Sequence, residues 1–233
     1  MREAVQNAFF AFFHPPRGFI TPSGVIFMKN RLVYLVKISV LAVIASLIML
    51  LEFPLPFAPP FYKLDLSEVA VLIAGFALGP VAGVLTELFK ILINLLMDGT
   101  TTAFVGEAAN FAIGVSFVLP ASLIYKYKKS LSGALIGMAA GTVSLVVIGA
   151  LINYFVMIPA YSKFLIPMES IIAMGNSVNV GIDSLLTLVL FATVPFNLVK
   201  GLACSLITAL VYKRISPLLK PKKQIASTNE AIK

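Results

Sequence analysis

Long apolar segments follow one another along this chain with short polar breaks between them, and that succession leaves few folds open. An apolar run of roughly 20 residues makes a helix long enough to cross a bilayer. Such runs fall at about 31–51, 66–79, 80–97, 105–126, 131–158 and 184–213. Backbone polar groups inside a membrane must be satisfied within the spanning segment. The expected fold is therefore all-α: a polytopic membrane protein with six transmembrane helices in a membrane domain over 28–215. Composition agrees, because 59% of residues are hydrophobic and 12% charged, with a mean hydropathy of +0.98. A soluble domain averages roughly 25% charged residues. Gly79-Pro80 divides the short second segment from the third. Pro195 interrupts the last run and is expected to begin a fresh helix. A longer connection over 159–183 carries Pro167, Gly175, Asn176 and Asn179, with a short helix expected near 168–174.

Basic residues cluster beside the apolar runs. Arg17, Lys29 and Arg31 precede the first, Lys126, Lys128 and Lys129 separate the fourth from the fifth, and Lys213, Arg214, Lys220, Lys222 and Lys223 follow the last. With six crossings these all fall on one side, which places both termini in the cytoplasm of a multi-pass plasma-membrane protein. Residues 1–27 are expected as a lead-in, disordered or amphipathic, and 216–233 as a basic cytoplasmic tail. The net charge of +8 is thus a membrane-orientation signal and implies no nucleic acid partner. Cys204 is the single cysteine and His14 the single histidine, which excludes an internal disulfide and a multi-histidine metal centre. No Ser/His/Asp set, Cys/His pair or phosphate-binding glycine loop is present, so the expectation is a protein that is not an enzyme and holds no cofactor.

Between the first two runs lies Phe53-Pro-Leu-Pro-Phe-Ala-Pro-Pro-Phe-Tyr-Lys-Leu-Asp-Leu-Ser67. Its prolines stiffen it, and its aromatics cannot all face water, so it reads as a lid over a pocket for a flat ligand. Charges within the runs are candidate functional groups. Glu87 and Lys90 share a helix face three residues apart, as a structural pair or a functional one. Glu107 and Asn110 cap the fourth helix or line a vestibule. Lys200 has no carboxylate within one turn, so it needs a partner from another helix, a ligand or water. Asn197 shares its face, and Asn153 lies near the end of the fifth run. Two amides and one ammonium suit a neutral heterocycle rich in carbonyl and ring N–H groups, and suit a phosphate poorly. Small residues recur at spacing four, in Ala42/Ser46, Gly75/Gly79/Gly83 and Gly133/Gly137/Gly141. They pack helices within the bundle or dock a partner helix.

Taken together, Phe53–Phe57, Leu64–Ser67, Gly75–Gly83, Lys90-x-x-x-Asn94, Asn110-Phe111, Asn153-Tyr154-Phe155 and Pro195-Phe196-Asn197-x-x-Lys200-Gly201 resemble the substrate-binding S components of energy-coupling-factor (ECF) vitamin transporters, and among them the riboflavin-specific type. The similarity spans about 31–215. It implies a six-helix protein that captures riboflavin, or its phosphate FMN, as a transported ligand under the lid loop. It also implies a transmembrane coupling protein (EcfT-like) and two ATPase subunits as partners, with release inside the cell. Asn153, Asn197 and Lys200 would then serve the dione edge of the flavin. The backbone at Leu64 and the side chains of Asp65, Asn94 and Thr101 would serve its hydroxyl tail, with Phe57 and Tyr62 covering the ring. Ala42 and Ser46 occupy the place of the family's small-residue docking motif. The competing expectation is a self-sufficient secondary transporter of a small heterocycle, in which Glu87/Lys90 would be a relay; no inverted repeat of broken helices supports it.

Overall fold

A computed structural model describes residues 22–100 and 102–219. Thr101, most of the expected lead-in and the tail beyond 219 lie outside the described residues. The chain divides into two compact units, 1–37 and 38–233. The first holds the opening turns of helix α1 (Pro22–Met49), and the second holds the bundle and the site. After α1 come a two-residue ribbon, β1 (Phe53–Pro54) and β2 (Lys63–Leu64), then α2 (Glu68–Leu78), α3 (Pro80–Asp98), α4 (Val105–Tyr127) and α5 (Leu131–Ile152). A widened π turn (Asn153–Met157) leads into α6 (Ile158–Phe164). Next come α7 (Met168–Asn176) and α8 (Leu185–Leu188), then a second π turn (Val189–Thr193) and α9 (Val194–Leu219).

Five helical stretches are long and apolar enough to cross a membrane: Arg31–Met49, Pro80–Asp98, Val105–Tyr127, Leu131–Phe164 and Leu185–Val211. The sixth expected crossing, at α2, falls short of this length. This helix has 11 residues, a rise of about 16 Å at ~1.5 Å per residue, against a hydrocarbon core of roughly 30 Å. The proline loop delays its start. Its end is set by Gly79, whose φ of +107° suits glycine, followed by Pro80 at the start of α3. One correction concerns Pro195, which does not begin a fresh helix. The residues before it widen into a π turn and the helix runs on. The same device carries the fifth span past Pro159 to Phe164. A proline lacks the N–H that an α-turn would use and crowds the preceding turn.

The recurrent glycines bring helices into contact. A Cβ on Gly83 would lie 3.1 Å from the Cα of Gly75, which marks the close approach of α2 and α3. On α5, Cβ atoms at Gly137 and Gly141 would come within 2.5 Å of the backbone oxygens of Ala121 and Phe117 on α4. These glycines therefore serve packing within the bundle. Around α2, Val71, Leu72, Phe117, Val118, Ala121 and Leu145 form the main core. A second core under the proline loop joins Tyr62, Leu64, Ile158, Ile171, Leu188 and Phe196.

Ala42 and Ser46 lie on α1. Both are fully buried, and the Ser46 hydroxyl reaches the backbone oxygen of Lys90 at 3.0 Å and that of Ala42 at 2.9 Å. Ser46 therefore meets α3 within this chain.

Candidate functional site

The proline loop dips into the protein. The ribbon pairs Phe53 with Leu64, and the Lys63 ammonium is bonded to Glu52 beside it. Ala58, Tyr62, Leu64 and Asp65 are buried. Pro-fixed backbone angles at 54, 56, 59 and 60 let this segment hold a non-helical path at low entropic cost.

Tyr62 is the deepest aromatic of the loop. Its hydroxyl donates to Asn153 Oδ1 at 2.8 Å and lies 2.6 Å from the Thr193 hydroxyl. Its ring stacks on Phe196 with centroids 5.2 Å apart and an interplanar angle of 27°. Burial pushes the Tyr62 phenol up, so it stays a neutral donor. Asn153 opens the first π turn and Thr193 closes the second. Asn153 is fixed from behind by donating to the Gly149 carbonyl at 2.8 Å.

Asn197 lies close by. Its amide nitrogen would be 2.5 Å from a Cβ on Gly149, so it occupies the space that this glycine leaves on α5. Asn197 is 4% exposed. An amide carries both a donor and an acceptor.

One turn further on α9, Lys200 Nζ donates to Asp65 Oδ2 at 2.8 Å. The partner that sequence could not supply within one turn comes from the loop. Asp65 also accepts from the Ser67 backbone N–H at 2.9 Å and from the Ser67 hydroxyl. Burial alone would raise the Asp65 carboxyl, but the Lys200 and Lys90 ammoniums and these hydrogen bonds hold it well below the usual carboxylate range. Ser67 connects to a second cluster. Lys90 Nζ lies 3.2 Å from the Ser67 hydroxyl and 2.8 Å from both Glu68 Oε1 and Glu87 Oε2. The expected Glu87/Lys90 pair is present, with Glu68 as a third member that the sequence reading did not single out. Its signal was available, as an acidic residue at the start of an apolar run.

Tyr62, Asp65, Asn153, Asn197 and Lys200 thus share one region between the loop, the π turns and α9. Leu64 is buried in the ribbon beside it. Phe57 stands apart, on an open groove of about 550 Å³ lined also by Val178, Asn179, Val180, Phe191 and Pro195. Asn94 is half-buried on α3 and makes no hydrogen bond to the cluster. Glu107 accepts from the Thr102 hydroxyl at 2.8 Å, which itself accepts from Gly106 N–H, so it supports the N-terminus of α4.

Sequence and fold comparisons extend over most of the chain. The family described as "ECF transporter, substrate-specific component" matches residues 33–212. The riboflavin transporter RibU of Staphylococcus aureus is 36% identical over 80% of this chain and 92% of its own length. The riboflavin transporter FmnP of Bacillus subtilis is 30% identical over 81% of this chain and 95% of its own. The solved S component of a bacterial ECF transporter superposes with a TM-score of 0.63 at 34% identity, covering 83% of this chain and 99% of that one. ThiT from Listeria monocytogenes shares the fold, with a TM-score of 0.50 at 15% identity over 82% of this chain and all of its own.

Proposed function

This chain belongs to the substrate-specific components of ECF transporters, a multi-pass protein of the cell membrane, and we propose that its ligand is riboflavin, bound among Asn153, Asn197 and Lys200. The observation that carries this reading is the placing of the Asn197 amide, on a 4%-exposed residue, one turn from the part-buried Lys200 ammonium and beside the Tyr62–Asn153 contact. The pyrimidine-dione edge of a flavin alternates carbonyl acceptors with a ring N–H. An amide can donate to the one and accept from the other, and an ammonium can donate to a carbonyl. Phe196 offers a flat face beside them, already used by the Tyr62 ring. With six crossings the loop lies on the side opposite Lys126–Lys129, so the ligand is captured outside under the Tyr62–Asp65 segment. Asp65 and the Leu64 backbone face its hydroxyl tail. Release inside follows docking with a transmembrane coupling protein and two ATPases.

A flavin-fluorescence titration of the purified protein tests this reading, with FMN as competitor. Saturable quenching at nanomolar riboflavin is expected, with Asn197→Ala weakening binding about 10–100-fold, the worth of one or two buried hydrogen bonds. Affinity unchanged by both Asn197→Ala and Lys200→Met would remove this region as the binding site.

A further inference from the structure

Among the described residues three carboxyl groups are buried, Asp65, Glu68 and Glu87, and the ammonium groups that meet them are Lys90 and Lys200. Asp65 and Lys200 neutralise each other. Lys90 is left to serve both Glu68 and Glu87, each 2.8 Å from its Nζ. If every group were ionised, the cluster would carry one uncompensated negative charge inside a membrane bundle, which is costly.

The oxygen accounting shows the same deficit. Glu68 Oε2 and both Glu87 oxygens are buried without a hydrogen-bond donor. Glu87 Oε2 is close to Lys90 Nζ but not aligned for a hydrogen bond. A Cβ on Gly114 would lie 2.2 Å from Glu87 Oε1 and 3.2 Å from Glu68 Oε1, so both carboxyl groups crowd the gap that this glycine leaves on α4. The surrounding charged and titratable groups are Asp65 on the loop, Lys90 on α3, and Lys200 and Cys204 on α9. The α4 contribution at this point is Gly114, which is uncharged.

We propose that Glu68 and Glu87 form a binding site for one proton, held between them as an acid–carboxylate pair on Lys90. A single proton cancels the excess charge and supplies the missing donor, since the acid O–H can donate to the neighbouring carboxylate. Two carboxyl groups sharing a site cannot readily both ionise. A metal ion fits less well, because among the described residues no group of three or more acidic, histidine or cysteine ligands is placed to hold one.

Infrared spectroscopy of the full-length protein in lipid nanodiscs at neutral pH tests this. Asp65 is ion-paired with Lys200 and the remaining described carboxyl groups are at least partly exposed, so a protonated-carboxyl C=O band at neutral pH that is lost on Glu68 or Glu87 substitution would report this pair. The band is expected in the wild type and is expected to be lost in both Glu68→Gln and Glu87→Gln. Either substitution leaves two carboxylates facing two ammoniums. Thermal midpoints should stay within a few degrees for each single variant and fall clearly in the double variant, which strands an ammonium. Absence of the band from the wild type would overturn the proposal even if the variants fail to fold. So would a band that survives both substitutions, or a wild-type midpoint that rises with sodium at constant ionic strength.

Discussion

Lys200 does two jobs that a single substitution would confuse. It is a proposed ligand contact, and it is the buried counter-charge of Asp65. Removing one partner of a buried pair strands the other, at a cost of about 3–5 kcal/mol. Lys200→Met should therefore lower stability as well as affinity. Adding Asp65→Asn should restore most of the stability and none of the Lys200 contribution to binding, a separation that thermal unfolding and flavin titration read independently. Recovery of binding in the double variant would mean that Lys200 only neutralises Asp65. The sign of the pH effect follows from the same pair. A carboxyl held below its ordinary value contributes stability that is complete above about pH 4 and lost as pH falls below it, so acid should weaken the wild type more than the Lys200→Met/Asp65→Asn protein. At this scale the sequence was partly legible. The isolation of Lys200 within its own helix was visible, but its partner lies 135 positions away and only folding of the loop brings it there. Tyr62 was legible as an aromatic cover, but its hydrogen bonds to two π turns were not.

At the level of elements, the glycines and prolines act in different ways, and substitution should separate them. Gly137 abuts a carbonyl oxygen of α4, a backbone atom that cannot swing aside. Gly137→Ala should force the helices apart and cost about 1–3 kcal/mol, as overpacking does. Gly99 has open space around it but a φ of +76° and a ψ of −166°, so Gly99→Ala should cost about 1–3 kcal/mol through backbone strain alone. Melting in detergent would read both, and a Gly137→Ala protein as stable as the wild type would mean that the α4–α5 contact yields more easily than its geometry implies. The periodic small residues announced close helix contacts, whereas which helix each would meet depends on rotation about its axis, which a repeat of four does not encode. Ser46 shows the consequence, since its hydroxyl meets the Lys90 carbonyl on α3. The π turns were hidden for a related reason. A proline in an apolar run signals a disturbance, and whether the helix breaks or widens is decided by the packing of its neighbours.

Across the whole molecule, α2 is the element that decides the topology. It is too short to cross alone, yet the loop before it carries buried residues from Ala58 through Ser67. Irregular backbone is tolerated at membrane depth where protein surrounds it, so loop and helix together can make the second crossing. Apolar length alone suggested a sixth ordinary helix, because a sliding count cannot tell a helix from a buried loop of the same hydropathy. If this composite segment crosses, Lys126–Lys129 and the end of α9 face the cytoplasm while the 177–181 turn faces outside, in keeping with the charge bias. Cysteine labelling in intact cells can read this, because the native Cys204 is fully buried and silent. A membrane-impermeant thiol reagent should label Val180→Cys from outside and should reach Lys129→Cys only after permeabilisation. Both side chains are exposed, so accessibility to the reagent turns on the side of the membrane. The reverse pattern would invert the bundle and put the loop, with Tyr62 and Asp65, on the cytoplasmic face, where it could not receive a ligand from outside.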